Sequence, residues 1–351
     1  MGNQINKPDT YFNTKLYTGT GSSLGVTGVG FQPDLVWLKS RNTTYNHALF
    51  DNVRGTGAYI NSNNTNAEAS TATSLSAFDS DGFTVVSDGF VNNSGTTFAS
   101  WNWLGSNTTA SNTDGSITST VSVNTTSGFS IVSYTGTFSN GTVGHGLGVA
   151  PKVIILKNRD TTNNWCMGHG SLGFDKFLNL NTTDGAGTDA TARFQGTAPT
   201  SSVYYVGVAG ETNGSSNNMI AYCFAEKKGF SKFGKFTSNG SDDGTFTYCG
   251  FKPAWIMMKA NVTDAWSHWF IFDNKRDTYN LADLPQYANL AIQDGYYGGT
   301  PATNYSQIDM LSNGFKIRRD GNWGLGGNGT EVIYMAFAEE PLVGDNPATA
   351  R

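Results

Sequence analysis

Residues 30–39, GFQPDLVWLK, decide the fold, because the chain repeats their pattern twice more. Residues 149–157 read VAPKVIILK and residues 250–259 read GFKPAWIMMK. In each copy a lysine follows a proline six residues later, with a mainly apolar run between them. Such a run is too short for a helix, and its β-branched and aromatic residues favour a strand buried on both faces. The sequence therefore predicts the same buried strand three times.

Further anchors recur in the same order around these strands. An aromatic residue precedes each proline by 16 or 17 residues, at Tyr17, Tyr134 and Phe236. Alternating aromatic segments follow, SWNW at 100–103, AYCF at 221–224 and YMAF at 334–337. Repeats at this spacing indicate three copies of one unit. Tandem copies are typical of proteins that extend or multiply a surface, whereas a catalytic apparatus is usually built once.

Composition favours strands over helices. The 351 residues suit three domains of ordinary size. Only 14% of the residues are charged, while glycine is abundant and 13% are aromatic, which argues against disorder. The abundant Ser, Thr and Asn side chains favour turns and strand faces. We predict an all-β protein of three tandem antiparallel β-sandwiches, jelly-roll-like or lectin-like.

The anchors also set the expected boundaries. We expect an N-terminal arm at 1–14, sandwiches at 15–104, 127–228 and 229–340, a Ser/Thr/Asn-rich linker at 105–126, and a tail at 341–351.

Charge, cysteines and hydropathy exclude several classes of protein. A net charge of −5 and scattered lysines provide no basic footprint for nucleic acid. The three cysteines are odd in number and lack metal-like spacing. No stretch is long and apolar enough for a membrane span, and the N-terminus lacks a signal-peptide core. We expect a soluble protein that folds in a cytoplasm.

Residues suited to catalysis are sparse. His47 and His268 lie at corresponding places, three and four residues before a phenylalanine, which favours a repeated structural role. The chain has no G-x-S-x-G, P-loop or H-E-x-x-H motif, and its paired acids lack a distinctive aromatic cleft. We expect no enzyme and no cofactor. Residues 79–82 (DSDG) and 241–244 (SDDG) offer oxygen ligands for Ca²⁺, but aspartates in turns are the favoured interpretation.

The eight tryptophans divide into two groups. Trp37, Trp101, Trp103 and Trp255 occupy repeated strand positions and are predicted to be core. The others vary between units or lie in loops, so they are the candidates for an exposed ligand-binding surface, although core packing is favoured even for them. These candidates are Trp165, Trp266, Trp269 and Trp323.

Longer motifs carry a resemblance to a known group of proteins. YFNTKLYTGTG at 11–21, FDNVRG at 50–55 and FDSDGF at 78–83 accompany the first repeat, and VGHGLGVAPKVIILKNRD at 143–160 and CGFKPAWIMMK at 249–259 carry the others. The chain resembles the repeat units of structural, tail-fibre-like proteins of tailed bacteriophages, especially marine ones. The second unit departs from the pattern, because Met167, Gly168 and His169 stand where the others carry Phe-Asp.

The resemblance implies membership of the virion and transfers no catalytic residue. The leading hypothesis is a non-enzymatic tail fibre, spike or appendage component that contacts the host surface, assembled in the host cytoplasm. Residues 1–14 are then the candidate docking arm for other virion proteins, and a homo-oligomer is compatible with this role. Two alternatives stay open: a capsid-decorating or head-appendage protein without a ligand, and a carbohydrate-binding module or polysaccharide depolymerase directed at a host glycan.

Overall fold

The protein is all-β, as predicted. The computed structural model describes residues 4–188, 191–297, 300–301, 307–319, 324–325, 327–343 and 347–348. Apart from strands, the described residues contain one 3₁₀ turn (Pro8–Thr10) and two four-residue helices, α1 (Gly89–Asn92) and α2 (Gly210–Asn213).

The strands follow one another along the chain in three series. The first series is β1 (Phe12–Thr18), β2 (Leu24–Thr27), β3 (Leu35–Ser40), β4 (Ala48–Asp51), β5 (Ala58–Tyr59), β6 (Ala69–Ser70), β7 (Leu75–Asp79), β8 (Gly82–Val85) and β9 (Thr97–Trp103). The second is β10 (Ala110–Asn112), β11 (Ser119–Asn124), β12 (Phe129–Thr135), β13 (Gly141–Gly144), β14 (Val153–Asn158), β15 (Cys166–His169), β16 (Gly173–Asn179), β17 (Gly187–Thr188), β18 (Val203–Val206) and β19 (Asn218–Phe224). The third is β20 (Ser231–Thr237), β21 (Phe246–Tyr248), β22 (Phe251–Ala260), β23 (Phe270–Asp273), β24 (Gln286–Tyr287), β25 (Tyr296–Tyr297), β26 (Thr300–Pro301), β27 (Gln307–Leu311), β28 (Gly314–Arg319) and β29 (Glu331–Pro341).

Each series forms a large antiparallel sheet and a smaller one. The large sheets, here called the first, second and third inner sheets, have the orders β1-β9-β3-β4, β10-β11-β12-β19-β14-β15-β16-β17 and β20-β29-β22-β23-β24. The small sheets, called the outer sheets, are β2-β8-β7, β13-β18 and β21-β28-β27. Two short pairings, β5-β6 and β25-β26, complete the set.

The same strand pairing recurs in the three inner sheets. The residue two positions after each repeated proline pairs with the last aromatic residue of its closing strand. These pairs are Leu35 with Trp103, Val153 with Phe224 and Trp255 with Phe337. On the other side, the same three residues pair with Asp51, His169 and Asp273. The repeated sequence therefore occupies equivalent places in the three sheets.

The proline-containing repeat forms a central strand of each inner sheet, β3, β14 or β22, and this strand is buried on both faces, which explains the continuous apolar runs. In β3, Leu35 and Trp37 face one cluster, which draws residues from all three inner sheets. Val36 and Leu38 face a second cluster, shared with the first outer sheet. A strand between two apolar layers needs apolar side chains in both directions, so the usual alternation is lost.

The inner sheets meet in one shared core. The rings of Trp103, Phe224 and Phe337, one from each closing strand, form a triangle with centroid separations of 6.3, 5.6 and 5.8 Å. The four tryptophans predicted to be core are all buried there. The three inner sheets therefore pack around a common centre, in addition to the separate apolar cluster that each series forms between its inner and outer sheets.

The predicted linker at 105–126 is wrong, because it contains β10 and β11, two strands of the second inner sheet. The Asp34 carboxylate holds this segment against the first sheet, accepting bonds from the Gly105 amide at 2.6 Å and the Ser122 hydroxyl at 2.8 Å. Ser, Thr and Asn are compatible with strand faces as well as linkers, so composition misled the boundary.

The predicted arm at 1–14 is also wrong from residue 5 onward. The Ile5 amide donates to the Lys228 carbonyl at 3.1 Å. Phe12 is 1% exposed, and its ring lies 4.8 Å from Trp103 and 5.3 Å from Phe337. This segment belongs to the shared core and is not a free arm.

Candidate functional site

The four candidate tryptophans do not form a common surface. Trp165 and Trp269 are buried, which agrees with the favoured interpretation of core packing and removes them as candidates for an exposed ligand-binding surface. Each indole N–H donates to a backbone carbonyl of a different series, Trp165 to Asn61 in the loop after β5 at 2.8 Å and Trp269 to Asn179 at the end of β16 at 3.0 Å. Trp266 is half-buried in the loop after β22, and Trp323 lies outside the described residues.

His47 occupies the position equivalent to these two tryptophans. His47, Trp165 and Trp269 each lie four residues before the end of the second strand of the repeated pair, at Asp51, His169 and Asp273. The Trp37 indole donates to His47 Nδ1 at 2.9 Å, which leaves Nε2 to donate to the Tyr287 carbonyl at 2.9 Å. Burial holds the pKa of His47 well below its usual range. The first sheet thus bonds to the third, the second to the first and the third to the second.

Buried carboxylates form a second set of contacts between the sheets. The Tyr222 hydroxyl donates to Asp51 at 2.8 Å, and Asp51 is paired with Arg54 at 2.5 Å. The same relationship links the Trp101 indole to Asp273 at 2.9 Å, with Arg276 as the partner of Asp273 at 2.5 Å. Tyr222 and Trp101 stand at the same place on their closing strands, two residues before the last aromatic.

The third junction replaces the carboxylate with histidine. His169 Nε2 lies 3.3 Å from the Tyr334 carbonyl, across the contact between the second and third sheets. Burial lowers the pKa of His169 to about 4, so the ring is neutral at neutral pH. Burial alone would raise the pKa of Asp273, but the neighbouring Arg276 outweighs it and holds that pKa below its usual range. The carboxylates and the histidine therefore each place a buried, hydrogen-bonded polar side chain at a junction between two sheets.

The lysine of each repeat is buried and caps the end of its strand. Lys39, Lys157 and Lys259 are fully buried. Their ammonium groups donate to backbone carbonyls, Lys39 to Ser40 at 2.7 Å, Lys157 to Asn163 at 2.8 Å and Lys259 to Ser267 at 2.8 Å. Burial lowers their pKa values to about 7, about 8 and about 7.

Two of these lysines also reach the neighbouring sheet. Lys157 donates to the Thr65 carbonyl at 3.1 Å in the first series, and Lys259 donates to the Thr183 carbonyl at 3.0 Å in the second. The six-residue spacing from proline to lysine thus brings a donor from the end of each of these two strands to a loop of the next sheet.

The remaining reactive groups have structural partners or are buried. His145 accepts from the Leu147 amide at 3.1 Å and lies 3.2 Å from the Thr200 carbonyl. His268 is held by the Asn289 amide at 2.8 Å. The three cysteines are buried, and burial raises the pKa of Cys249 to about 12.

The acidic turns use their carboxylates on protein partners. Asp81 accepts bonds from the amides of Gly28 at 2.9 Å and Gly30 at 2.7 Å, and Asp79 accepts one from Thr84 at 2.7 Å. Asp243 is paired with Lys316. Within the described part of the chain, no group of three or more His, Cys, Asp or Glu side chains is arranged to hold a metal. The same described residues include no helix long and apolar enough to span a membrane.

A polar groove lies beside the N-terminal segment. It has a volume of about 500 Å³ and lies between residues 6–14 and the ends of β22, β23 and β29. Glu339 lines the groove and is paired with Lys252 at 2.9 Å and with Lys275 at 3.8 Å. The buried Thr14 hydroxyl, also in its lining, has no hydrogen-bond partner. The groove therefore offers charges of both signs and an unused polar group.

These features define an all-β protein in which three inner sheets surround one core, with polar contacts at each junction. The chain belongs to the family described as a domain of unknown function (DUF7483), whose model matches residues 7–341. The match begins inside the segment predicted as an arm and spans all three sheets. No curated protein matches the sequence.

Proposed function

We propose that this chain is a non-enzymatic structural component of a tailed-phage particle, part of a tail fibre, spike or appendage that contacts the host surface. The proposal rests on the location of the ionisable groups, which serve as structural contacts. Asp51, Asp273 and His169, which in an enzyme would be candidate acids and bases, are buried at sheet junctions and bonded to protein groups. Such an arrangement suits a rigid protein that presents a surface to the host better than it suits an enzyme.

The proposal includes three copies of one unit. The central strand of each inner sheet pairs with its closing strand in the same register, and each repeat has a buried lysine at the same place. The closing strands also contribute one ring each to the aromatic triangle. These equivalences support a pseudo-threefold arrangement within one chain. One chain then supplies what three subunits supply in a trimeric fibre. The sequence resemblance to phage structural repeats supports the virion role.

The polar groove beside residues 6–14 is the proposed docking site for another virion protein. It replaces the free arm as the attachment point, because the buried Ile5, Pro8 and Phe12 anchor this segment to the body of the protein. Mixed charge and an open rim are typical of interfaces between separately folded components.

Immunogold labelling of the phage that encodes the chain tests the proposal. Gold on the tail or its fibres is the expected result. Gold spread over the head would favour the capsid-decorating alternative and remove the host-contact role. Purified particles that carry no gold and no chain by immunoblot would overturn the virion role altogether.

A further inference from the structure

The third outer sheet presents two aromatic rings side by side. In β21, Phe246 is 44% exposed and Tyr248 is 58% exposed, while Thr247 between them is 7% exposed. Alternate residues of a strand share a face and lie about 7 Å apart. The two rings therefore project from the same outward face of the sheet.

The neighbouring strands extend this face with polar groups. Across the sheet, Phe246 pairs with Lys316, and Lys316 pairs with Asp309. Tyr248 pairs with Gly314, so no side chain stands beside it on that strand. The face thus combines two aromatic rings on β21 with the hydrogen-bonding side chains of Lys316 and Asp309 on the next two strands.

The charges on this face are balanced. Lys316 is paired with Asp243, and Arg318 is paired with Asp309 at 2.7 Å. The charges of these two ion pairs sum to zero, so the pairs themselves give an acidic polymer no net positive charge to bind. The same charges beside the rings differ from the centre of a protein–protein interface, which is depleted of charged residues.

The rings are a property of the third outer sheet alone among the three. The positions equivalent to Phe246 and Tyr248 are Gly25 and Thr27 in β2, and Thr142 and Gly144 in β13. Those sheets are stable without rings at these positions, so the fold does not require them. Behind the face, Phe315 and Ile317 are buried, which holds the strands as a rigid platform.

We infer that the outward face of the third outer sheet, centred on Phe246 and Tyr248, is a binding site for a neutral oligosaccharide. Sugar rings have apolar C–H faces that stack on aromatic rings, and hydroxyl groups that bond to both the donors and the acceptors beside them. An uncharged chain of sugars therefore matches the alternation of rings and balanced ion pairs. The inference rests on the proposed host-surface role and names the site and ligand class for it.

A titration of the full chain with neutral and acidic glycans tests the inference. The probes are cellohexaose, maltohexaose, xylohexaose and a neutral mannan, with alginate and polygalacturonate as acidic counterparts, measured by calorimetry and by a broad glycan array. The double variant Phe246→Ala/Tyr248→Ala should weaken binding of a neutral glycan by roughly tenfold or more, the scale of a lost stacking contact.

A matched control separates this site from exposed aromatics in general. Phe138 is 49% exposed in the loop after β12, and Phe138→Gly should leave glycan binding unchanged. Thermal unfolding of each variant checks that the fold is retained. No neutral glycan bound at millimolar concentration, binding of acidic glycans only, or binding unchanged in the double variant would each overturn the inference.

The outcomes remain distinct from those of the particle labelling. Gold on the tail, together with no glycan binding through Phe246 and Tyr248, would support the structural role and reject this binding site. Glycan binding through Phe246 and Tyr248 without gold on particles would keep the site and remove the virion role.

Discussion

The Tyr222 hydroxyl donates to the Asp51 carboxylate at 2.8 Å across the junction of the second and first inner sheets, and both side chains are buried. Arg54 neutralises the carboxylate from the other side at 2.5 Å. An equivalent bond joins Trp101 to Asp273 at the next junction. Polar side chains that are buried in this way specify how sheets meet, because any other arrangement leaves a charge or a donor unpaired.

Removal of Asp51 should be strongly destabilising. Asp51→Ala removes the acceptor of the buried Arg54 Nε and of the Tyr222 hydroxyl and leaves Glu68 as the one carboxylate paired with Arg54 among the described residues, which costs about 3–5 kcal/mol of unfolding free energy. Chemical denaturation measures this loss. Asp243→Ala is the control, because the Asp243 side chain is 84% exposed in its pair with Lys316 and its removal should have little effect on the unfolding free energy. Equal effects of the two variants would contradict the assigned role of Asp51.

Acid should weaken the fold through its buried histidines. The folded pKa of His169 is about 4, below the value of about 6.5 expected in the unfolded chain. Between these values the unfolded state binds more protons, so the stability is present above pH 6.5 and is lost as pH falls toward 4. Comparison of wild type with His169→Gln between pH 5 and 6.5 should show a flatter pH dependence in the variant. Identical slopes would show that His169 titrates normally in the fold.

A glycine at position 138 should stabilise the protein. Phe138 has a φ of 52°, in the left-handed region, while the equivalent turn positions Gly21 and Gly240 have φ values of 74° and 63°. A side chain there costs about 1–2 kcal/mol, partly offset by the greater chain entropy of glycine. Phe138→Gly should therefore raise the unfolding free energy by up to about 1 kcal/mol. A fall of similar size would mean that the ring contributes packing that outweighs the strain.

Charge reversal in the polar groove should reduce incorporation into particles. Lys275 lies in the groove lining, and its side chain is 47% exposed and paired with Glu339. Lys235 on β20 is also 47% exposed and paired with a glutamate, Glu331, and it does not line the groove. Phage that lack the gene, complemented with Lys275→Glu or Lys235→Glu, should incorporate less of the first variant only. Equal incorporation of both would remove the groove as the docking site.

The sequence predicted strands and core better than it predicted contacts between sheets. The all-β class and the burial of Trp37, Trp101, Trp103 and Trp255 follow from local patterns that the structure preserves. The burial of Trp165 and Trp269 depends on a neighbouring sheet, to which no local pattern points. Their position four residues before His169 and Asp273, matching His47 and Asp51, was the available signal, but His47 obscured it because its residue type differs.

The boundaries failed for a related reason. Phe12 and Phe129 each lie five residues before the repeated tyrosine and pair with the last aromatic of their closing strand, but the third copy has Ser231 at this place, which obscured the signal. The polar composition of residues 105–126 suited a linker, but β11 pairs with β12 and the Asp34 carboxylate of the first series bonds to Gly105 and Ser122, contacts that composition does not reveal.

The most direct test of the shared core is calorimetric unfolding of the whole chain and of a Trp103→Ala variant. Trp103 touches Phe224 and Phe337 at the centre, so the variant should lose about 3–5 kcal/mol. With one core, both proteins should unfold in a single transition whose calorimetric and van't Hoff enthalpies agree. Three separable transitions, of which only the first moves in the variant, would contradict a common core and restore the model of independent sandwiches.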